Sequence, residues 1–134
     1  MVLRKSVRNF SYLTKQLSAN LKELCAGLET YTFDVNVMGL SICTREAVQL
    51  MRESGVDDGH IINVNSVLGH KVVNMGTIYT ATKYAVTALT EGLRQELLEA
   101  KTHIRSTSIS PGYVETMFAE RYGMCDEKLL FKHV

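Results

Sequence analysis

The sequence of this 134-residue chain predicts a strand, a long helix and a second strand in succession, and this pattern limits its fold more than any other. Residues 61–64 are a short apolar run without strict alternation, which predicts a strand covered on both faces. Residues 78–101 carry the longest helical periodicity, and residues 104–110 predict a second strand that ends at Pro111. Strands joined through a helix are expected to lie parallel with a right-handed crossover, so the predicted fold class is α/β.

The predicted long helix has a stripe of mostly small residues along one side, which would let another helix approach closely. That stripe consists of Ala81, Ala85, Ala88, Leu89, Gly92, Leu93 and Leu97. An earlier pattern over residues 32–51 predicts a second helix. Its apolar side is predicted to hold Val35, Met38, Ile42, Val48 and Met51. Turn residues at 54–59 and the Gly, Asn and Ser residues of 66–77 predict loops, and the tail from Glu115 predicts a short helix.

The N-terminal segment is basic and amphipathic. Its apolar residues recur every three or four positions and predict a helix of about five turns. They are Phe10, Leu13, Leu17, Leu21, Leu24 and Leu28, with Gly27 as a stop signal. No acidic residue precedes Glu23. This composition is typical of a basic helix at the start of a cytoplasmic chain or, as the less favoured alternative, of a mitochondrial transit peptide.

Composition excludes several classes of function. Fifteen basic and fourteen acidic side chains leave no positive field for nucleic acid. The apolar runs are far shorter than the roughly 20 residues of a membrane span, so none is expected. Three widely spaced cysteines fit neither a disulfide framework nor a zinc site and favour the cytoplasm. The four histidines lack metal-ligand spacing, so no metal is expected.

Tyr79 and Lys83 stand four residues apart near the start of the predicted long helix, on one face. An ammonium beside a phenol favours the phenolate, so such a tyrosine can exchange a proton near working pH. The same spacing also occurs between ordinary helix residues. Ser66 follows the first predicted strand, and Pro111 and Gly112 follow the second. Open parallel sheets bind ligands outside the carboxyl ends of their strands, so these residues are predicted to share a site.

Four segments resemble signatures of the short-chain dehydrogenase/reductases. They are residues 36–39 (Asn-Val-Met-Gly), 63–69 (Asn-Val-Asn-Ser-Val-Leu-Gly), 79–83 (Tyr-Thr-Ala-Thr-Lys) and 111–116 (Pro-Gly-Tyr-Val-Glu-Thr). The resemblance covers about residues 30–118. It implies that residues 30–134 are the C-terminal catalytic half of a Rossmann-like domain, a partial doubly wound parallel sheet. Residues 1–29 would be an unplaced N-terminal helix.

The resemblance also implies an oxidoreductase that transfers hydride between a nicotinamide cofactor and a carbonyl or secondary alcohol. The substrate would be lipophilic, such as a steroid or isoprenoid. Tyr79 would protonate the carbonyl oxygen, and Ser66 would hold that oxygen by a hydrogen bond. Lys83 would lower the tyrosine pKa and bind the nicotinamide ribose, and Asn36 would hold a water in the proton relay.

The implied cofactor is NADP or NAD, with NADP favoured. Its nicotinamide and neighbouring phosphate would lie against Pro111, Gly112 and Thr116, beside Tyr79 and Lys83. No two of the nine glycines lie two apart, so the Gly-x-Gly of a pyrophosphate-binding turn is absent. We therefore expect little dehydrogenase activity from this chain by itself. The alternative is a non-catalytic module that uses the small-residue stripe to form a homo-oligomer or to pair with subunits of the same family.

Overall fold

The computed structural model describes residues 28–73, 76–114 and 116–117. Helix α1 (Leu28–Phe33) continues through a π-helical turn (Asp34–Gly39) into α2 (Leu40–Glu53). Strand β1 (His60–Val64), a 3₁₀ turn (Val67–Gly69), helix α3 (Thr77–Glu99) and strand β2 (Arg105–Ile109) follow. The predicted N-terminal helix and the predicted helix in the tail lie almost wholly outside the described residues.

The two strands form a parallel pair with α3 as the connection, which confirms the predicted strand–helix–strand unit. The register runs from His60 opposite Arg105 to Val64 opposite Ile109. Hydrogen bonding continues past the ends of the strands, because the Asn65 amide donates to the Ile109 carbonyl at 2.7 Å. The segments that follow β1 and β2 therefore leave the sheet side by side.

The helix predicted over residues 32–51 is present and longer, from Leu28 to Glu53. It ends in a Schellman motif: the Val56 amide donates to the Met51 carbonyl and the Gly55 amide to the Arg52 carbonyl. Gly55 adopts φ +69°, a left-handed conformation that glycine tolerates without strain. The predicted loop at residues 54–59 is thus confirmed, and its first glycine stops the helix.

The predicted apolar side of this helix was partly wrong. Val35, Met38 and Ile42 are exposed, whereas Val48 and Met51 are half-buried. The π-helical turn lies between the two halves, and its extra residue per turn rotates the face presented by everything before it. A strict 3.6-residue period therefore misassigned the first half.

The core lies between α3 and the inner face of the sheet. Its buried apolar members are Ile61, Leu68, Val86, Leu97 and Ile104. The small residues of the predicted stripe do not face this core, because Ala81 and Ala88 are exposed. The helix instead buries Thr80, Thr82, Val86, Thr90 and Leu97. Part of the stripe does face another helix, since Leu89, Leu93 and Leu97 line a groove of about 570 Å³ opposite Leu40 and Val48 of α2.

The prediction that β1 is covered on both faces was also wrong. Ile61 and Asn63 point inward and are buried, whereas Ile62 and Val64 on the outer face are 52% and 65% exposed. Within the described ranges, no element packs on that outer face. Among the same residues, no helix combines the length and apolar character that crossing a membrane requires.

Candidate active site

Ser66 lies where the sequence predicted it, two residues past the end of β1. Its extended backbone caps the 3₁₀ turn, and its Oγ accepts a hydrogen bond from the Leu68 amide at 3.1 Å. The Gly69 amide donates to the Ser66 carbonyl at 2.9 Å and closes the turn. Ser66 is half-buried, so its hydroxyl is held at the carboxyl edge of the sheet with access to solvent.

The turn that carries Ser66 is fixed against α3 by a polar network. Asn65 Nδ2 donates to Thr87 Oγ1 at 2.8 Å, and that hydroxyl lies 2.9 Å from the Gly69 carbonyl, to which it donates. A Cβ at Gly69 would lie 2.8 Å from the Lys83 carbonyl of α3. Only glycine permits this close approach, so the contact fixes the position of the serine turn relative to α3.

Lys83 reaches from α3 to the end of β1. Its Nζ donates to the Val64 carbonyl at 3.0 Å and lies 5.6 Å from the centroid of the Tyr79 ring. The side chain is half-buried, and burial lowers the pKa of Lys83. An ammonium this close to a phenol favours the phenolate electrostatically. The predicted Tyr79–Lys83 pair is therefore together in space, at the strand end that leads to Ser66.

Asn36 lies in the π-helical turn and is connected to the tyrosine through a residue that the sequence reasoning missed. Its Nδ2 donates to Thr82 Oγ1 at 3.1 Å, and Thr82 Oγ1 donates to the Tyr79 carbonyl at 2.7 Å. Thr82 is fully buried. The available signal was a hydroxyl residue between Tyr79 and Lys83, one position before the lysine.

Pro111 and Gly112 lie beside the serine turn, because the Val67 amide donates to the Pro111 carbonyl at 3.0 Å. His70 Nε2 and Ser110 Oγ, 2.9 Å apart, form a second connection between these loops, which sequence reasoning also missed. Thr116 is exposed further along, with its hydroxyl 3.5 Å from the Val114 carbonyl. The described part of the chain holds no group of three potential metal ligands.

Comparison with known families covers most of the chain. The profile of the family described as short chain dehydrogenase matches residues 15–124. The chain belongs to this family. Dehydrogenase/reductase SDR family member 11 of Mus musculus is 71% identical over 89 residues, which are 65% of this chain and 34% of that protein. Farnesol dehydrogenase of Aedes aegypti is 53% identical over 85 residues, 62% of this chain and 34% of that protein. The chain thus spans about a third of the length of these relatives.

Solved structures agree with the fold. A mutant 4-hydroxyisoleucine dehydrogenase complexed with NADH and succinate superposes with a TM-score of 0.65 at 30% identity, covering 84% of this chain and 42% of that one. A short chain dehydrogenase/reductase from Burkholderia phymatum in complex with NAD has a TM-score of 0.55 at 30% identity, covering 76% of this chain and 36% of that one. The strand pair and its helices are therefore part of a Rossmann-like α/β fold.

Proposed function

We propose that residues 30–134 supply the catalytic half of an oxidoreductase that uses NAD or NADP. The observation that carries the proposal is the position of Lys83 Nζ, between the Val64 carbonyl and the Tyr79 ring, at the strand end that leads to Ser66. The substrate would be a lipophilic carbonyl compound or secondary alcohol of steroid or isoprenoid type. The name of the farnesol dehydrogenase of Aedes aegypti supports an isoprenoid alcohol.

A nicotinamide held by Lys83 would supply the hydride to the carbonyl carbon of the substrate in the proposed reduction. The Tyr79 hydroxyl donates its proton to the carbonyl oxygen, and the Ser66 hydroxyl donates a hydrogen bond to the same oxygen. The ammonium of Lys83 stabilises the phenolate that remains. Asn36 would hold a water that returns a proton toward Lys83, and Thr82 fixes the orientation of its amide.

The residues present suit the nicotinamide end of the cofactor. Lys83 is half-buried and would donate to the nicotinamide ribose, while the exposed Pro111 and Gly112 would line the ring with Thr116. Two structural neighbours were solved with NADH or NAD, which supports a nicotinamide dinucleotide. The sequence offers no Gly-x-Gly turn for the pyrophosphate, so we expect weak affinity for NAD and NADP and low turnover.

The test is reduction of a lipophilic ketone by the purified chain, followed by nicotinamide absorbance at millimolar NADH or NADPH so that weak binding is overcome. Tyr79→Phe removes the proton donor and is expected to lower the rate by about 10²–10⁴-fold. Tyr84→Phe, at an exposed tyrosine of the same helix, is the matched control and should leave the rate unchanged. Equal rates for Tyr79→Phe and the parent chain, or no binding of either cofactor by fluorescence titration, would contradict the proposal.

A second candidate function is association without catalysis. The open groove between α2 and α3 favours it, because Leu40, Val48, Leu89 and Leu93 contribute apolar side chains to a lining that also holds charged residues. The partner would be a second copy of the chain or a subunit of the same family. Light scattering after size exclusion tests it, with Leu89→Glu expected to abolish association; a strictly monomeric parent chain that also fails to bind a full-length relative would exclude it.

We propose the cytoplasm as the compartment, on the basis of the three widely spaced cysteines. Imaging of the tagged chain tests this, and import into mitochondria would overturn it.

A further inference from the structure

Two hydrogen bonds join the serine turn to the segment that follows β2. The first is between main-chain atoms, from the Val67 amide to the Pro111 carbonyl at 3.0 Å. The second is between side chains, with His70 Nε2 and Ser110 Oγ 2.9 Å apart. The side-chain bond is thus the one that a substitution can remove without changing the backbone, and the mechanism proposed above gives it no role.

We propose that His70 is a positioning residue that holds Pro111 and Gly112 at a fixed distance from Ser66. This role rests on the proposed function, in which Ser66 holds the substrate oxygen and the Pro111–Gly112 segment lines the nicotinamide. Hydride transfer requires the reacting atoms to be about 3–3.5 Å apart and aligned. A bond between the two segments sets that separation, although His70 itself touches neither the substrate nor the cofactor.

The backbone that carries the His70 side chain is itself held in place by α3. The His70 amide donates to the Val67 carbonyl at 3.0 Å, which closes the 3₁₀ turn. The preceding residue, Gly69, packs directly on the helix, because a Cβ there would lie 2.8 Å from the Lys83 carbonyl. Thr87 Oγ1 also donates to the Gly69 carbonyl at 2.9 Å. The imidazole therefore extends from a backbone fixed against the helix that carries the proposed proton donor.

The segment on the other side of the bond is held mainly by hydrogen bonds. Ser110 is the first residue after β2 and is half-buried, whereas Pro111 and Gly112 are exposed. Proline has no N–H, so the main chain of Pro111 can bond only through its carbonyl. A Cβ at Gly112 would meet no atom within 4 Å, so packing at this glycine does not fix the segment. Its position therefore depends on the two bonds to the serine turn.

The proposed role is geometric and needs no proton transfer. A serine hydroxyl can donate to a ring nitrogen or accept from a ring N–H, so the bond to Ser110 forms with either tautomer of His70. The chain contains a second bond of the same kind, between His60 Nε2 and Thr107 Oγ1 at 2.8 Å, which also joins β1 to β2. His60 is the first residue of β1, at the end of the strand away from Ser66. His60→Ala is therefore a matched control.

Ketone reduction by the full chain at saturating NADH or NADPH tests the effect on catalysis. His70→Ala is expected to lower kcat about 10-fold with little change in KM for the ketone, because a misplacement of 1 Å can cost roughly 10²-fold in rate while binding is retained. His70→Gln keeps an N–H for Ser110 and should recover most of the rate, and His60→Ala should leave the rate unchanged. Equal kcat values in His70→Ala and His60→Ala, or no recovery in His70→Gln, would overturn the proposal.

A double-mutant cycle assigns the effect to the bond itself. Ser110→Ala removes the other partner and should lower kcat as much as His70→Ala does. Because both substitutions break one and the same bond, the double variant should lose no more than either single variant. Losses that multiply in the double variant would show that the two side chains act independently, which contradicts the proposed role.

Hydrogen exchange of the Val67 amide, measured by NMR, needs no turnover and separates this proposal from the proposed function. That amide donates to the Pro111 carbonyl, so its exchange rate reports whether the two segments stay together. His70→Ala should raise the rate roughly 2–10-fold, as expected for the loss of one hydrogen bond, and His60→Ala should not. Slow exchange in β1 and α3 shows that each variant is folded.

The two proposals fail in different ways. A parent chain without activity whose Val67 amide responds to His70→Ala as expected would contradict the proposed function and support the coupling of the two segments. A Val67 amide that exchanges at the parent rate in His70→Ala would refute the role of His70, whatever the activity of the chain.

Discussion

Replacing Gly69 with alanine tests whether the serine turn and α3 have the close contact described above. The added Cβ would lie 2.6 Å from Asn65 Oδ1 and 2.8 Å from the Lys83 carbonyl. The first neighbour is a side chain that can rotate at the cost of its hydrogen bond to Thr87. The second is helix backbone, so either the turn or α3 must shift.

Overpacking of this kind costs about 1–3 kcal/mol. For a chain of this length each kcal/mol lowers the midpoint of thermal unfolding by about 3–5 °C, so we expect Gly69→Ala to lower it by roughly 3–15 °C. Gly92→Ala is the matched control, because its Cβ would meet no atom within 4 Å. Gly92 lies inside α3, where alanine is favoured by about 0.5–1 kcal/mol, so the same added atom should raise the midpoint.

Thermal and urea unfolding followed by far-ultraviolet circular dichroism would measure both variants at one protein concentration. The two variants should shift the unfolding midpoint in opposite directions. A Gly69→Ala variant with the same unfolding midpoint as the parent chain would show that the serine turn can move at no cost in stability. The close contact with α3 would then not fix the position of Ser66.

Two further predictions concern single hydrogen bonds. The side-chain bond between Asp57 and His103 raises the pKa of His103 and lowers the pKa of Asp57. The pair should therefore stabilise the fold most at a pH between the ordinary pKa values of Asp and His. This stabilisation should be lost as the pH rises through the raised pKa of His103 or falls through the lowered pKa of Asp57. Asp57→Asn should lower the His103 pKa in an NMR titration, with a smaller change in Asp58→Asn, and equal changes would disprove the pairing. Thr82→Val leaves the Asn36 amide without its partner and should lower the free energy of unfolding, measured in urea, by about 1–3 kcal/mol. Thr82→Ser keeps the hydroxyl and should retain most of the parent chain's stability. Similar losses of stability in both variants would mean that the methyl group of Thr82, and not its hydroxyl, is responsible.

Local patterns predicted the strands and the long helix to within one or two residues at each end. Strand β1 was expected at 61–64 and is His60–Val64, and α3 was expected at 78–101 and is Thr77–Glu99. These limits depend on signals carried by neighbouring residues: a β-branched run, the helical period of the apolar residues and the proline after β2. The parallel pairing followed from connectivity alone.

The buried face of α3 could not be predicted from hydrophobicity. Threonines counted as polar in the sequence pattern, yet Thr90 is buried because its hydroxyl donates to the Val86 carbonyl and accepts from Asn63 Nδ2. A buried asparagine on a strand and a threonine on the facing helix satisfy each other, so both tolerate the interior. Such pairing cannot be predicted until the strand and the helix are placed together. For the same reason the hydrogen bond between Thr82 and Asn36 was not predicted from the sequence.

The contacts described for Asn36, Ser66 and Lys83 join residues that lie between positions 36 and 111. Lys83 bonds the end of β1, Thr82 joins Asn36 to the Tyr79 segment, and the serine turn is held by α3. None of these contacts uses the pyrophosphate-binding turn that the sequence lacks. Orientation of the proton-transfer groups and affinity for the cofactor are therefore separable here. Weak binding would reduce the fraction of loaded chains and leave the effect of Tyr79→Phe on each loaded chain intact, which is why saturating cofactor is the condition that tests the site.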